Sequence, residues 1–479
     1  MNEQNQTKSL TDILQRQKRA FERARYPALN VRKNRLSRVI ALLVDNQCVL
    51  CDAMDADFSG RSTHQSRMAD IYGAVEPLKY ALKHVGRWMK DEPRKVQAPL
   101  NLLGAKARVK YQPKGVVGAI STWNFPVWVP MSPLSGIFAA GNNCMLKLSE
   151  FTPETSSLLA GLIGQYFDEE ELVAINGGQE IAEGFAHLPF DHLLFTGSTS
   201  VGKKVMRAAS ENLVPVTLEL GGKSPVIVGK NAKLAKVAES LVLGKSLNVG
   251  QVCLSPDYIF VKNDSLNELI AELEKAVSRY FPSLLSNCDY SSIINERHYQ
   301  RLLAYISEAR NAGGEIWEIN PANENFAFQD GSFKIPPTLI INPEDSWKVM
   351  QEEIFGPVIP VKTYAHLDEV TEFINNRPRP LALYFFGSDK QQLEHLLNQT
   401  LSGGVTINDV IQHVSCEDLP FGGVGASGMG NYHGFDGFKT FSHTRSVYKQ
   451  AGVNLMALAG LVPPYGEKAT KILDSMIKK

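Results

Sequence analysis

The sequence predicts an α/β protein with two strand-and-helix domains and smaller elements around them. Strand-like apolar runs alternate with helical stretches between Gly115 and Gly221, and a second alternating series follows Gly221. This alternation is typical of parallel sheets covered by helices on both faces, because right-handed crossovers join parallel neighbours. The chain of 479 residues also has room for about three domains.

Composition excludes several classes of protein. Apolar residues make up 44% of the chain and charged residues 21%, as in ordinary globular enzymes. Fifty Lys and Arg balance fifty Asp and Glu, so no cationic excess is available for nucleic acid. No apolar run reaches the roughly 18 residues of a membrane helix, and the polar N-terminus lacks a signal-peptide core. We therefore expect a cytoplasmic protein with neither membrane nor nucleic acid as a partner.

The N-terminal region is predicted to be mainly helical. Apolar residues recur at three- and four-residue spacing in Leu10–Tyr26, Arg35–Asp57 and Ser66–Trp88. Ala105–Tyr111 then alternates like an exposed strand.

The first α/β domain is predicted from four strand-like and four helical segments. The strands are Val116–Ile120, Asn143–Leu148, Leu172–Asn176 and His192–Phe195, and the helices are Val127–Ala140, Pro153–Phe167, Gln179–Ala186 and Val201–Ser210. The Thr152 hydroxyl is expected to cap the helix that begins at Pro153.

The second α/β domain is predicted in the same way. The strands are Pro225–Val228, Asp257–Val261, Pro357–Thr363 and Leu381–Phe386, and the helices are Ala232–Leu247, Leu266–Phe281, Glu296–Ala312 and Asp368–Asn375. After Gly403 the chain becomes richer in glycine and short turns.

Gly197 and Gly202 lie in a strand–turn–helix sequence that suits a phosphate group. The N-terminus of a helix offers free N–H groups and the positive end of the helix dipole. The sequence matches a Walker A loop through Lys203, but Lys204 stands where a magnesium-binding hydroxyl is required. The dinucleotide pattern G-x-G-x-x-G matches less well, and a simple tight turn is the alternative. The missing hydroxyl argues against an NTPase.

Cys253 is the cysteine whose setting suggests catalysis. It follows Gly250 at a turn after a helix, where free N–H groups can lower the pKa of a thiol and bind an oxyanion. A packed thiol is the alternative. Cys48 and Cys51 form a CxxC on a helical stretch and are interpreted as buried rather than metal-binding, and Cys144 is interpreted as core.

Glu219 is the candidate general base. It ends an apolar strand just before Gly221, where partial burial would raise the pKa of its carboxyl. An ion pair with Lys223 is the alternative. Glu352 and Glu353 precede another turn and, taken alone, are expected to be solvated.

Seven motifs in register resemble those of the NAD(P)-dependent aldehyde dehydrogenase superfamily. They are TWNFP at Thr122–Pro126, MLKLSE at Met145–Glu150, FTGSTSVG at Phe195–Gly202, LELGGKSP at Leu218–Pro225, GQVC at Gly250–Cys253, EEIFGP at Glu352–Pro357 and PFGGVGASGMG at Pro420–Gly430. Within the superfamily, the chain is most similar to the class 3 branch and, there, to bacterial coniferyl aldehyde dehydrogenases. VTINDVIQH at Val405–His413 and TFSHTRSV at Thr440–Val447 carry that finer likeness.

The resemblance implies an aldehyde dehydrogenase-like fold with a Rossmann-type cofactor domain, an α/β catalytic domain and a small oligomerisation β-arm. The implied ranges are 1–98 and 115–220 for the cofactor domain, with a return segment near 404–425, then 221–403 for the catalytic domain, and 99–114 and 426–479 for the arm and tail. A homodimer is implied as well.

The resemblance also assigns catalytic roles. Cys253 would be the nucleophile that attacks the aldehyde carbonyl, and the Asn124 amide would form the oxyanion hole with the Cys253 backbone N–H. Glu219 would activate the water that hydrolyses the thioester. Superfamily members that transfer the acyl group to coenzyme A lack this acid, so Glu219 favours a free carboxylic acid as product.

NAD is the implied cofactor, with NADP as the alternative. Lys147 and Glu150 would hold the adenosine ribose, and Glu150 would disfavour a 2′-phosphate. The other implied contacts are Gly197, Ser198 and Gly202 at the pyrophosphate, Glu353 and Phe355 at the nicotinamide end, and Thr122, Trp123 and Leu220 around them. No metal is expected.

A bulky aromatic aldehyde such as coniferyl aldehyde is the substrate that the resemblance favours. Trp123, Phe125, Trp128 and the run Leu455–Val462 could line an apolar tunnel for it. A medium- or long-chain fatty aldehyde is one alternative, and a catalytically silent relative acting as a binding or structural protein is another. The intact catalytic trio argues against the silent relative.

Overall fold

The computed structural model describes residues 3–329 and 331–478, so residues 1, 2, 330 and 479 of the implied domains lie outside the described chain. This described chain forms a six-stranded sheet, a seven-stranded sheet and a three-stranded sheet. The two larger sheets are mainly parallel and are joined by helices, so the predicted α/β class is confirmed.

The first sheet has six strands. Their order is Gly428–Met429, Val216–Leu220, His192–Gly197, Val116–Ile120, Asn143–Lys147 and Leu172–Ile175. The last five are parallel, and Gly428–Met429 pairs antiparallel with the strand that carries Glu219. The strand order reverses at Val116–Ile120, and such reversals open a crevice at the carboxyl ends of the strands.

The second sheet has seven strands. Their order is Glu315–Glu318, Thr338–Ile341, Val358–Tyr364, Pro256–Lys262, Ser224–Val228, Ala382–Phe386 and Gly404–Ile407. Glu315–Glu318 is antiparallel to its neighbour, and the other pairs are parallel. Cys253 lies just before the central strand Pro256–Lys262, at the amino end of that strand.

The segment expected to return to the first domain near residue 404 is placed differently. Gly404–Ile407 pairs parallel with Ala382–Phe386 and therefore belongs to the second sheet. The helix Lys390–Gln399 provides the crossover that a parallel pair requires. The chain rejoins the first sheet only at Gly428–Met429, which the sequence analysis assigned to the arm and tail.

The third sheet is a small antiparallel arm. Lys106–Pro113 pairs with Glu92–Arg94 on one side and with Ser442–Lys449 on the other. Ser442–Lys449 is mostly exposed and was not predicted, because its sequence SHTRSVYK has no apolar alternation strong enough to mark a strand.

The longer helices surround the two larger sheets. In chain order, the helices of at least four residues outside the 3-10 turns are Glu3–Arg23, Leu29–Asp45, Gln47–Phe58, Ser66–Tyr72 (a π-helical stretch), Gly73–Trp88, Trp128–Met131, Leu134–Ala140, Pro153–Tyr166, Gln179–Ala186, Thr199–Ser210, Leu234–Ser246, Leu266–Tyr280, Glu296–Asn311, Lys348–Gln351, Leu367–Asn375, Lys390–Gln399, Gly434–Thr440, Leu455–Leu458 and Glu467–Ile477.

Three helical predictions need correction. Arg35–Asp57 is two helices, since Asn46 has non-helical dihedral angles between them. The predicted helix Val127–Ala140 is likewise interrupted before Leu134. The Thr152 hydroxyl does not cap the next helix; the carboxylate of Asp57 does so instead, accepting the N–H groups of residues 154 and 155 at 3.0 and 2.8 Å.

Candidate active site

A cavity of about 200 Å³ lies at the carboxyl end of the first sheet and is also lined by residues of the second α/β domain. Three of its lining residues are the predicted catalytic trio, Asn124, Glu219 and Cys253. Glu353 and Phe355 from the EEIFGP motif also line it. Residues far apart in the sequence therefore meet on one surface, as the motifs predicted.

Cys253 is held by a strained turn. Asn248 and Val249 have φ of 45° and 46°, and Gly250 follows at 78°. Left-handed backbone is costly for a β-branched residue such as Val249, so packing must enforce the turn. A Cβ on Gly250 would lie 2.5 Å from the Gly356 carbonyl oxygen, which means that the turn packs directly against the EEIFGP loop.

The thiol of Cys253 is kept protonated at neutral pH. Burial raises its pKa well above the ordinary value, and the charges of Glu219 and Glu353 act in the same direction. The Leu254 N–H hydrogen bond opposes this shift only in part. The expectation that the turn lowers the thiol pKa is wrong, because burial of the thiol, together with the two nearby carboxyl groups, outweighs the free N–H groups. A base must therefore remove the thiol proton.

Glu219 is placed to be that base. Its residue is 2% exposed, and burial raises the pKa of its carboxyl to about 8. A hydrogen bond with the Cys253 thiol lowers this pKa, whereas the charge of Glu353 raises it further. The alternative ion pair with Lys223 is not formed, because the Lys223 ammonium pairs with Asp257.

Asn124 is fixed by hydrogen bonds on both its side chain and its backbone. Its Nδ2 donates to the Gln251 carbonyl oxygen at 3.0 Å. Its own carbonyl oxygen accepts from Arg61 Nη1 at 2.8 Å and from Asn248 Nδ2 at 2.9 Å. An amide nitrogen carries two protons, so one remains to stabilise a developing oxyanion.

A fully buried ion pair supports the Asn124 segment from behind. Arg61 Nη2 lies 2.6 Å from Asp70 Oδ2, and both side chains are at most 1% exposed. Asp70 Oδ1 accepts the N–H groups of Val127 and Trp128 at 3.1 Å each. The pair thus fixes the segment that begins with the TWNFP motif at three backbone positions, the Asn124 carbonyl and the N–H groups of Val127 and Trp128. No role was predicted for Arg61, which lies between the helices Gln47–Phe58 and Ser66–Tyr72, or for Asp70 in the latter, because no local pattern shows that the two side chains pair.

A larger groove of about 650 Å³ adjoins the catalytic cavity. Thr122, Trp123, Gly197 and Ser198 line both spaces. Trp123 packs edge-on against Phe355, with ring centroids 5.3 Å apart. The groove's volume is within the range of small-molecule sites.

The far end of the groove carries the predicted ribose contacts. Lys147 and Glu150 both line it, and their charged groups lie 3.4 Å apart. The helix Thr199–Ser210 points its N-terminus at the groove, and the Ser198 hydroxyl accepts the Val201 N–H as the cap of that helix. An anionic ligand is stabilised at such a helix start.

Two glycines make the groove possible. A Cβ on Gly202 would lie 2.7 Å from Leu220 Cδ2, so only glycine lets the helix sit this close to the strand end. A Cβ on Gly221 would lie 2.1 Å from Glu353 Oε2. Glu353 is partly buried; burial raises its pKa to about 7 although the Gly222 N–H acts to lower it, and its Oε1 is shielded from solvent with no partner among the described residues. An unpartnered carboxylate oxygen in the wall of the catalytic cavity, next to the groove, matches the hydroxyl of a ribose.

His298 also lines both spaces and was missed by the sequence analysis. Its ring lies 5.1 Å from the Trp123 ring between centroids, and burial lowers its pKa to about 4. It is the third residue of the helix that begins at Glu296, and no local motif marks it.

Other predicted features fall outside the cavity. Phe125 is buried against Trp128, and Leu455–Val462 lies in the tail; neither lines the cavity, whereas Trp128 does. Cys51 is buried as expected but Cys48 is exposed, so the buried interpretation of the CxxC is wrong for Cys48. In the described chain, no cluster of His, Cys, Asp and Glu could hold a metal ion, and no helix is long and apolar enough to cross a membrane.

Comparisons with known proteins show the family of this chain. The aldehyde dehydrogenase family pattern matches residues 3–447. The chain belongs to the aldehyde dehydrogenase family. The probable coniferyl aldehyde dehydrogenase of Caulobacter vibrioides is 51% identical over 98% of this chain and 97% of that protein. The coniferyl aldehyde dehydrogenase of a Pseudomonas species is 49% identical over 98% of this chain and 96% of that protein.

A solved structure shares the fold. The substrate-bound AldH of Staphylococcus aureus superposes with a TM-score of 0.89 and 35% identity, covering 98% of this chain and 99% of that chain. The predicted family and fold are therefore confirmed. An aldehyde dehydrogenase oxidises a small-molecule aldehyde with NAD(P), and the chain is an enzyme of this kind.

Proposed function

We propose that this aldehyde dehydrogenase oxidises coniferyl aldehyde, or a similar aromatic aldehyde, to its carboxylic acid. The observation that carries the mechanism is that Cys253, Glu219 and Asn124 line one cavity, with the Cys253 thiol and the Glu219 carboxyl close enough to shift each other's pKa. A catalytically silent relative would not need this arrangement, whose raised pKa values oppose stability.

The first chemical step forms a covalent bond to Cys253. Glu219 removes the thiol proton, and the thiolate attacks the carbonyl carbon to give a thiohemiacetal. The Asn124 amide and the Cys253 backbone N–H stabilise the resulting oxyanion. A bound nicotinamide dinucleotide supplies the hydride acceptor for oxidation to the thioester.

The second step releases the acid. Once Glu219 has released the thiol proton to solvent, its carboxylate, with a pKa of about 8, takes a proton from water and so activates that water for attack on the thioester. The Asn124 amide and the Cys253 backbone N–H hold the acyl carbonyl in place. The products are a carboxylic acid and free Cys253.

NAD is the preferred cofactor in this proposal. Lys147 and Glu150 would hold the adenosine ribose, Gly197, Ser198 and Gly202 the pyrophosphate, and Glu353 the second ribose; Thr122, Trp123, Leu220 and Phe355 would complete the walls. Glu150 repels a 2′-phosphate. Lys204 also lines the groove, and its positive charge allows NADP to bind more weakly.

The substrate proposal rests on the relatives and on the cavity wall. Trp128 and Val129 give the cavity an apolar side next to Cys253. The Caulobacter vibrioides and Pseudomonas relatives carry the coniferyl aldehyde name, which favours aromatic over fatty aldehydes. We also propose a cytoplasmic homodimer in which the arm sheet, whose outer strand Ser442–Lys449 is exposed, packs against the partner.

The experiment measures NADH formation with wild type and Cys253→Ser. Coniferaldehyde, benzaldehyde, hexanal and decanal are compared, each with NAD and with NADP. We expect turnover to be highest with coniferaldehyde and NAD and to vanish in Cys253→Ser. A preference for decanal would refute the substrate proposal alone, whereas turnover that persists in Cys253→Ser would refute the mechanism.

A further inference from the structure

The loop 352–356, which carries Glu353 and Phe355 to the cavity wall, has a conformation that it would not adopt alone. Phe355 has a φ of 52°, in the left-handed region that is costly for a bulky side chain. Its ring nevertheless lines the cavity and packs against Trp123, with centroids 5.3 Å apart. Contacts from outside the loop must therefore enforce its shape.

An ion pair between Lys223 and Asp257 holds one side of the loop. Lys223 Nζ pairs with Asp257 and also donates to the Glu352 carbonyl oxygen at 2.8 Å. Asp257 Oδ2 accepts the Ile354 N–H at 2.9 Å. The pair thus fixes the backbone on both sides of residue 353, which gives a role to a lysine of the LELGGKSP motif that the chemical steps do not use.

Arg301 holds the other side of the loop. It lies on the helix Glu296–Asn311 and lines the catalytic cavity. Its Nη1 donates to the Glu353 carbonyl oxygen at 3.2 Å, and its Nη2 donates to the Ile354 carbonyl oxygen at 2.8 Å. The planar guanidinium, with five donors in a fixed fork, can bond two successive carbonyl groups at once, which suits arginine better than lysine.

The guanidinium of Arg301 is itself oriented by the next turn of the same helix. Arg301 Nη1 also donates to the hydroxyl of buried Tyr305 at 2.9 Å, and that hydroxyl donates to Glu352 Oε2 at 2.6 Å. Leu302 lies between them and packs so tightly that a Cβ on Gly356 would be 2.5 Å from its Cδ1. The helix and the loop therefore form one packed, hydrogen-bonded wall of the cavity.

We infer that Arg301 is a positioning residue for the nicotinamide half of the cofactor. It acts through the loop, because its bonds to the Glu353 and Ile354 carbonyl oxygens set where the Glu353 carboxyl and the Phe355 ring stand on the cavity wall. The inference rests on the proposed function, in which Glu353 binds the second ribose and Phe355 lies at the nicotinamide end. Binding groups must be held to within roughly half an ångström by their supporting bonds, so a loosened loop weakens this half of the cofactor site alone.

The test compares the binding of NADH with that of ADP, which lacks the nicotinamide and its ribose. Isothermal titration calorimetry gives the Kd of each with wild type, Arg301→Gln, Tyr305→Phe and the control Arg310→Gln, whose arginine lies on the same helix but pairs with Glu318 at the surface. We expect Arg301→Gln to raise the Kd for NADH about ten-fold, as for one lost hydrogen bond to a charged group, and to leave the Kd for ADP unchanged. Tyr305→Phe should raise the Kd for NADH less, and Arg310→Gln should change neither value.

A double-mutant cycle tests whether Arg301 acts through Glu353. Glu353→Gln alone should raise the Kd for NADH. Adding Arg301→Gln to it should raise that Kd little further, because the group that Arg301 positions has already lost its contact.

Three results would overturn the inference and leave the proposed function intact. They are wild-type affinity for NADH in Arg301→Gln, equal losses for NADH and ADP, which would mean a general structural role or a direct phosphate contact, and full additivity in the cycle. If Arg301→Gln does not fold, Tyr305→Phe makes the same comparison, and wild-type affinity for NADH there overturns the inference. Wild-type affinity in Glu353→Gln would instead refute the cofactor assignment of the proposed function, and the inference with it.

Discussion

The contact between Gly221 and Glu353 allows a sharp test of the cofactor site. In Gly221→Ala, the new methyl group would lie 2.1 Å from Glu353 Oε2 and 2.3 Å from Oε1. A real carbon–oxygen contact is never this short, so the carboxylate must swing away and lose the Gly222 N–H. Because the clashing atoms are the end of a flexible side chain, the fold should survive.

Gly221→Ala is expected to lose one charge-assisted hydrogen bond between Glu353 and the cofactor. Such a bond contributes about 1.5–3 kcal/mol, which corresponds to a roughly 10- to 150-fold rise in the Kd for NADH. Fluorescence titration with NADH measures this Kd directly. Gly164→Ala is the matched control, because the new methyl group on that helix would have no neighbouring atom of the described residues within 4 Å and should leave the Kd unchanged. Wild-type affinity in Gly221→Ala would refute the assignment of Glu353 to the cofactor.

Buried charges give three more tests. Because the pKa of Glu219 is raised to about 8, wild-type kcat should climb with pH through that value, and Glu219→Gln should abolish both the climb and most turnover in a pH series of NADH formation. The ordinary pKa of this carboxyl is 4.5, so the folded state binds its proton more tightly than the unfolded state, and the stability that the group contributes falls as pH rises from 4.5 to about 8. The melting temperature of Glu219→Gln should therefore rise relative to that of wild type over this pH range. A difference in melting temperature that stays constant with pH would contradict this. Asp70→Asn leaves Arg61 charged and unpaired and should lower the free energy of unfolding by about 3–5 kcal/mol in urea, more than Asp418→Asn, whose Tyr80 partner is a single neutral hydroxyl.

Helices and strands that are defined by their own sequence were predicted correctly. Val116–Ile120 and Gln179–Ala186 were predicted to the residue, since apolar periodicity and flanking turns define both. The motifs also predicted which residues would meet: Cys253, Glu219 and Asn124 do share one cavity. Their roles stay predictions until the variants are assayed.

Features that depend on distant partners could not be predicted. The strand Ser442–Lys449 exists because Lys106–Pro113 offers it an edge, and its own polar sequence does not show this. Lys223 pairs with Asp257 and not with Glu219 because the strands Ser224–Val228 and Pro256–Lys262 are neighbours in the second sheet, which the local sequence does not show. The raised thiol pKa of Cys253 depends likewise on its burial and on two carboxyl groups that only the fold brings near it.

The central claim is that Cys253 carries the acyl group and Glu219 releases it. The most direct measurement is intact-protein and peptide mass spectrometry of Glu219→Gln after mixing with coniferaldehyde and NAD. Because Glu219→Gln lacks the base for both steps, we predict that a thioester adduct forms slowly on the peptide containing Cys253 but then persists unhydrolysed, and that no adduct forms in Cys253→Ser. A Glu219→Gln enzyme that turns over at the wild-type rate, or an adduct on any other residue, would contradict the account.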